Sequence, residues 1–278
     1  MKIGFVTDST AYLPEDWQAE LGIEVVPVQV VVSGTSFAED SGVTASDVIA
    51  AVDSGKSVTT SRPSVAEFIS VYQKLIAQGC DRIISLHLSA ELSGTYETAV
   101  LAKIKSALPV EVIDSRTIGL AMGFALAGSA KIAAQGSEYE DVLDCVIESC
   151  RRSKTFFYVD TLDFLVKGGR VNKLQLRIGS AIALKPLLSI SDGEIGLAEL
   201  SRNTDRSLTR LVELATKHYE PGTKFSVLHV AAPERAEKVA AAIQLAHSGT
   251  NIHVAAAGAV VAAHLGPGAI ALSISPMP

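Results

Sequence analysis

Short aliphatic runs alternate with longer segments of helical periodicity in the first half of the 278-residue chain. Ile3–Val6 and Ile23–Val32 are continuous runs rich in β-branched residues, as in strands buried on both faces. A capping box at Ser64–Glu67 opens a segment of helical spacing, and Arg82–Leu88 is the next strand-like run. The alternation continues with a helix, a strand and a long Ala- and Gly-rich helix, at about Thr95–Leu108, at Val110–Ile113 and from about Thr117. This order predicts βαβ units and a parallel sheet.

The second half has a hairpin pattern instead. Asp192-Gly193 separates two apolar runs and favours a two-residue hairpin turn. We expect a helix capped by Asp205 and another with Pro233 in its first turn. Strands are predicted at Thr155–Asp160, Leu187–Ile190, Ile195–Leu200, Phe225–Val230, Ile252–Ala257 and Ala269–Ile274. The chain is therefore expected to have an N-terminal parallel α/β (Rossmann-like) domain over 1–152 and a second α/β (α+β) domain over 153–278.

Composition narrows the class of protein. Hydrophobic residues make up 48% of the chain and aromatic residues only 5%, which excludes a disordered chain. The N-terminus lacks a signal-peptide core, and no apolar stretch reaches the roughly 18 to 20 residues of a spanning helix. A net charge of −6 argues against nucleic-acid binding, and three cysteines without a CxxC pattern indicate neither a disulfide framework nor a zinc site. We expect a cytoplasmic protein with no membrane span, no metal and no nucleic-acid partner.

Two hydroxyl-rich segments each precede a predicted helix. They are Thr59–Ser64, which contains Thr60 and Ser61, and Ser89–Thr95, which contains Ser93 and Gly94. Helix N-termini favour anions, so the hydroxyls are candidates for holding a carboxylate or phosphate, and glycine permits close approach. The alternative is that both segments only cap helices.

Three further segments have two interpretations each. Thr7–Thr10 follows the first strand and either faces a ligand crevice or caps a helix. Lys167–Arg170 and His264–Gly268 either expose cations and an imidazole on tight loops or form a capping turn and a satisfied histidine. Ser93 and His264 are also candidates for a nucleophile–base pair. However, the sequence has no GxSxG elbow, no Walker loop, no GxGxxG after a strand and no HExxH motif.

Taken in chain order, these segments resemble the DegV family of bacterial fatty-acid-binding proteins. The motifs are TDST, TSRPS, LSGTY, IDS, LDFLVKGGRV, KPLL and HLGPG, from Thr7 to Gly268. Two positions depart from the family pattern: Arg62 stands where glutamine is frequent, and a second glycine often follows shortly after the HLGPG turn.

The resemblance implies a two-domain α/β protein with a long-chain fatty acid between the domains and no other cofactor. It implies carboxylate contacts from Ser93 and from Thr60 or Ser61, with His264 nearby and Arg170 at the surface by the mouth. A separate ATP-dependent kinase would meet the Arg170 surface and phosphorylate the bound carboxylate to an acyl phosphate for phospholipid synthesis. We therefore expect a carrier without catalysis. The alternatives are a small-molecule hydrolase or acyltransferase using Ser93 and His264, and a regulatory module in which the lipid is a structural plug.

Overall fold

A computed structural model of the chain describes residues 1–39, 41–171 and 185–276. The strands among these residues are β1 Ile3–Asp8, β2 Ile23–Val26, β3 Gln29–Val32, β4 Thr35–Ala38, β5 Val58–Ser61, β6 Arg82–His87, β7 Val110–Asp114, β8 Lys154–Tyr158, β9 Lys185–Ser191, β10 Glu194–Ser201, β11 Lys224–His229, β12 Ile252–Ala256 and β13 Ile270–Ser275. The α-helices are α1 Glu15–Leu21, α2 Ala45–Asp53, α3 Val65–Ala77, α4 Thr95–Lys103, α5 Leu120–Ala134, α6 Tyr139–Arg152, α7 Asp163–Lys167, α8 Thr204–Lys217, α9 Pro233–Ala246 and α10 Ala259–Leu265.

The first sheet is parallel, with strand order β2-β1-β6-β7. The expected single strand over Ile23–Val32 is wrong, because the run divides at Pro27 into β2 and β3. Proline has no N–H for a sheet ladder, so it is found at strand ends and edges. Only β2 joins the parallel sheet.

The other part of that run begins a separate antiparallel sheet of order β4-β3-β5. β5 contains Thr59, Thr60 and Ser61, so these hydroxyls lie on a strand and not at a helix N-terminus as the sequence suggested. The helix cap is Ser64 alone, whose side chain and that of Glu67 form the predicted capping box.

The second large sheet is mixed, with strand order β10-β9-β8-β13-β11-β12. Asp192 and Gly193 both have positive φ, at 51° and 84°, as the predicted hairpin turn requires. The cap of α8 is Asn203 and not Asp205, because the Asn203 side chain accepts a hydrogen bond from the Arg206 N–H.

Helix α5 lies between the two large sheets, where it contacts β1 and β6 on one side and β11 and β13 on the other. Its residues from Leu120 to Ala130 are all buried, which explains their small and apolar character. The change from one sheet to the other follows α6, which ends at Arg152, the predicted domain boundary. No helix in the described part of the chain has the length and apolar character needed to cross a membrane.

Candidate functional site

A cavity lies between the two halves of the molecule and encloses about 970 Å³, counting its open mouth. Its walls are mainly apolar and come from the mixed sheet, from β5, from α7 and α10, and from connecting segments of the N-terminal half. The apolar lining residues include Val28, Leu88, Leu92, Ile118, Phe157, Leu165, Ile190, Ile195, Leu228, Val230, Val260, Val261, Leu265 and Ala271. Polar side chains gather mainly at one end, where β5, the loop before α4 and the last turn of α10 meet.

Thr60 and His264 are the centre of this polar end. The two residues are 204 positions apart in sequence, and Thr60 Oγ1 lies 2.8 Å from His264 Nε2 in a hydrogen bond. Thr60 reaches His264 because β5 pairs with β3, which places Thr60 opposite Val30. Strand alternation points the neighbouring Ser61 to the other face of β5; it is exposed, although it also lines part of the cavity.

The imidazole of His264 is enclosed by the glycine loop that follows α7. A Cβ atom on Gly168 would lie 2.3 Å from His264 Nδ1, so only glycine permits this approach. That nitrogen is buried and has no hydrogen-bond partner among the described residues. Burial and the charge of Arg170 lower the pKa of His264 to about 4. At neutral pH the ring is therefore uncharged, with one nitrogen bonded to Thr60.

Two guanidinium groups also line the cavity. Arg170 is half-buried, less exposed than its predicted place at the mouth suggests, and its Nε donates to the Leu92 carbonyl at 3.1 Å. Arg62 lies beside Gly94, where an added Cβ would come within 2.9 Å of the Arg62 Nη1. The close approach that Gly94 permits in this structure is therefore to Arg62.

Ser93 lines the same cavity, and its hydroxyl is hydrogen-bonded to a neighbour in sequence. Its Oγ lies 2.9 Å from the Thr95 Oγ1, at the start of α4. His264 Nε2 is hydrogen-bonded to Thr60 and not to Ser93, so the structure does not form the nucleophile–base pair considered above. Ser93 is positioned by the turn of residues 89–93, in which its N–H donates to the Ser89 carbonyl.

Two lining or supporting residues carry no sequence signal of their own. Tyr12 lines the cavity with a left-handed φ of 48°. Glu39 is 2% exposed, accepts from the Tyr12 hydroxyl at 3.3 Å and from the Val260 N–H at 2.8 Å, and so fixes the first turn of α10. Only the fold brings Glu39 to α10, 221 residues away.

The segment Thr7–Thr10 lies outside the cavity lining. Asp8 caps the short 3-10 helix Ser9–Ala11 through the Thr10 N–H, which agrees with the capping interpretation. The described residues contain no group of three His, Cys, Asp or Glu side chains that could hold a metal ion.

Comparison with known proteins agrees with this architecture. A family model described as "Uncharacterised protein, DegV family" matches residues 2–277. A DegV domain-containing protein of Streptomyces coelicolor is 37% identical over 275 residues, which cover 98% of each chain. A fatty-acid-binding DegV family protein from Thermus thermophilus superimposes with a TM-score of 0.92 at 29% identity over the whole of both chains. DegV of Bacillus subtilis, a fatty acid binding protein, has a TM-score of 0.91 at 30% identity over 99% of both chains. These matches confirm the expected mixed α/β fold, and the chain belongs to the DegV family.

Proposed function

We propose that the chain binds one long-chain fatty acid in this cavity, with the carboxylate at the polar end and the tail along the apolar walls. The observation that carries the proposal is the asymmetry of the cavity, which has a largely aliphatic lining and a concentrated polar end. An aliphatic tail fits such walls, since each buried methylene contributes about 0.8 kcal/mol. The two relatives with solved structures described above are themselves fatty acid binders.

The chemistry of the polar end suits a carboxylate. The hydroxyls of Thr60 and Ser93 are hydrogen-bond donors, and the Arg170 guanidinium supplies positive charge near His264. An anion near His264 would stabilise the imidazolium, so ligand binding would raise the His264 pKa from its low value. We assign Thr60, Ser93 and His264 as the carboxylate-binding residues, with Ser61 and Gly94 at the edge of the site.

We further propose that a separate ATP-dependent kinase phosphorylates the bound fatty acid. A carboxylate oxygen would attack the γ-phosphorus of ATP, ADP would leave, and the product would be an acyl phosphate for phospholipid synthesis. The exposure of the polar end supports access by a kinase. Ser61 and Arg62 at that end are exposed, whereas Thr155 and Ser273, away from it, are 4% and 3% exposed. Arg170, at the same end, is the residue we expect the kinase to contact.

Native mass spectrometry of the purified protein, compared with its denatured mass, tests the ligand. The expected difference is the mass of one fatty acid. A protein that carries no lipid and takes up none from added stearate would contradict the proposal. Covalent labelling of Ser93 by a fluorophosphonate would contradict the carrier role and favour the hydrolase alternative.

A serine pair tests the carboxylate site. Ser93→Ala should lower both stearate retention and acyl-phosphate formation by an added kinase. Ser70→Ala is the matched control, since Ser70 is exposed on α3 and far from the cavity lining. Equal retention and equal product in the two variants would show that Ser93 does not hold the carboxylate.

A further inference from the structure

A row of side chains across the mixed sheet lines one side of the cavity. Ser273, Thr155, Ile190 and Ile195 are successive pairing partners on β13, β8, β9 and β10, and all four line the cavity. His264 precedes the first residue of β13, Ile270, by six positions, and Ile270 pairs with Tyr158 at the end of β8. Ser273 lies three residues further along β13, a distance of about 10 Å. The row therefore lies on the side of the cavity away from the start of β13, which follows His264.

A hydrogen bond between the two halves of the molecule reinforces the row. Thr155 Oγ1 lies 2.9 Å from Thr117 Oγ1, and the two residues are only 4% and 5% exposed. Thr117 is itself held in place, because its carbonyl accepts from the Ser89 N–H at 2.8 Å and from the Ser115 hydroxyl at 3.1 Å. The barrier on this side is thus a fixed, packed contact.

A second, solvent-open cleft of about 1180 Å³, counting its open mouth, adjoins the first cavity at Ile190. Thr117 lines the second cavity, Thr155 lines the first, and Ile190 lines both. The partition between the two spaces is therefore about one layer of side chains thick. The second cleft offers apolar surface from Ile113, Ile147, Cys150 and Phe156, beside charged side chains that include Asp114, Arg116, Arg151 and Lys154.

We propose that the pair Thr117–Thr155, together with Ile190, sets the maximum acyl length that the protein accepts. This inference rests on the proposed function and deepens it by assigning the residues that stop the tail. A tail that reaches the row must end there, and a longer one must displace packed side chains. Removing the partition joins the two spaces and lets a longer tail reach the apolar part of the second cleft.

The experiment uses delipidated full-length protein loaded with an equimolar mixture of saturated acids from tetradecanoate to tetracosanoate. Native mass spectrometry then reports the occupancy of each length. Wild type should show a sharp fall above one length. In the double variant Thr155→Ala/Ile190→Ala that limit should move upward by two or more carbons, with an affinity gain of about fourfold per added methylene that finds apolar contact.

Three further variants test whether lost side-chain volume or the lost hydroxyl moves the length limit. Thr155→Val fills nearly the same volume without the hydroxyl, so its length limit should move less than that of the double variant. Ile190→Ala alone should also raise the limit, which keeps the test available if the double variant is unstable. Thr223→Ala is the control, because Thr223 is a buried threonine, 5% exposed, that lines neither cavity.

The outcomes are distinguishable. Fatty acids bound with an unchanged length limit in the double variant and in Ile190→Ala would overturn the partition and leave the proposed function intact. A wild-type protein that takes up no acid of any length would overturn the proposed function itself, and the partition with it.

Discussion

Two histidines, one in each part of the molecule, are hydrogen-bonded to hydroxyl groups but differ in how completely their ring nitrogens are bonded. His87, in the parallel sheet, is fully buried and has both ring nitrogens bonded, Nδ1 to Asp8 at 3.1 Å and Nε2 to Ser85 at 2.7 Å. His264 has one nitrogen bonded, to Thr60, and the other unpartnered among the described residues, and its ring lines a cavity.

The difference between the two lies in the surroundings of each ring. Asp8, His87 and Ser85 are hydrogen-bonded in the order of a catalytic triad. However, the Ser85 hydroxyl lies 3.0 Å from the Tyr72 hydroxyl, and none of these residues lines the cavity that contains His264. A network whose polar atoms are all paired in the dry interior stabilises the fold. A histidine beside a cavity and a guanidinium is placed to interact with something the chain does not itself supply.

The largest expected effect comes from breaking the buried network. Asp8→Ala leaves the His87 Nδ1 and the N–H groups of Thr10 and Leu88 without their acceptor, and each unpaired buried donor costs about 1–3 kcal/mol. We expect the free energy of unfolding to fall by about 3 kcal/mol or more in urea titration. Asp53→Ala, at an exposed site, is the control and should stay within about 0.5 kcal/mol of wild type. Equal losses would mean that the network is dispensable.

The second effect separates binding from stability at the other histidine. Thr60→Val keeps the shape of a β-branched residue on β5 but removes the hydroxyl that bonds His264 and is assigned to the carboxylate. Stearate affinity should fall about tenfold, the value of one hydrogen bond to a charged group. The free energy of unfolding should fall by about 1–2 kcal/mol, less than in Asp8→Ala, because one hydrogen-bond partner is lost and not three. A large loss of stability with unchanged affinity would make Thr60–His264 a structural pair like the one in the sheet.

The third effect is the part of the pH dependence of stability that His264 contributes. His264 has a folded pKa of about 4, below the unfolded value of about 6.5, so its contribution to stability is complete above pH 6.5. Between these values the unfolded chain binds the proton more readily, and stability falls as the pH falls. His264→Gln should therefore lose less stability than wild type between about pH 6.5 and 4.5, by about 1 kcal/mol after solvent screening.

The comparison of wild type with His264→Gln removes the contributions of the other titrating groups. The pKa of Asp160 is also lowered, by hydrogen bonds from Tyr158 and Arg235 that outweigh its burial, and this carboxylate too loses stability in acid. Because Asp160 is present in both proteins, its contribution cancels in the difference. Parallel curves for wild type and His264→Gln would contradict the neutral state assigned to His264.

The smallest effect is expected at the neighbour of Thr60. Ser61 is exposed, and its hydroxyl has only a 3.4 Å hydrogen bond to the Arg62 carbonyl. Ser61→Ala should change stearate affinity by less than about twofold, within the usual range for a surface substitution. A tenfold loss at Ser61 and none at Thr60→Val would reverse the assignment of the two hydroxyls.

Local signals predicted the elements that depend on local chemistry. The capping box of Ser64 and Glu67 and the turn at Asp192-Gly193 are satisfied by residues within four positions, and both were located from the sequence. The division at Pro27 was missed because the β-branched run on either side of it was read as one strand.

The arrangement of the candidate site depends on long-range pairing, which one sequence does not contain. The proposed preference for Thr60 over Ser61 rests on the register of β5 on β3, and the contact of Thr60 with His264 spans 204 residues. Glu39 precedes no motif, yet it holds the helix that carries His264. The motifs therefore predicted the residue types of the candidate site, whereas the fold determines which of these residues face the cavity.

The contact between Gly168 and His264 ties together two motifs separated by 96 positions. Because the backbone of one fills the space beside the ring of the other, a side chain at 168 would force the imidazole away from Thr60. A side chain at position 168 therefore requires a change at position 264, whereas a smaller residue at 264 can be accommodated beside Gly168. Among relatives of this chain, we expect sequences that lose the first glycine of the KGGR segment also to have replaced the histidine of HLGPG, and such paired losses would identify branches that have changed their ligand.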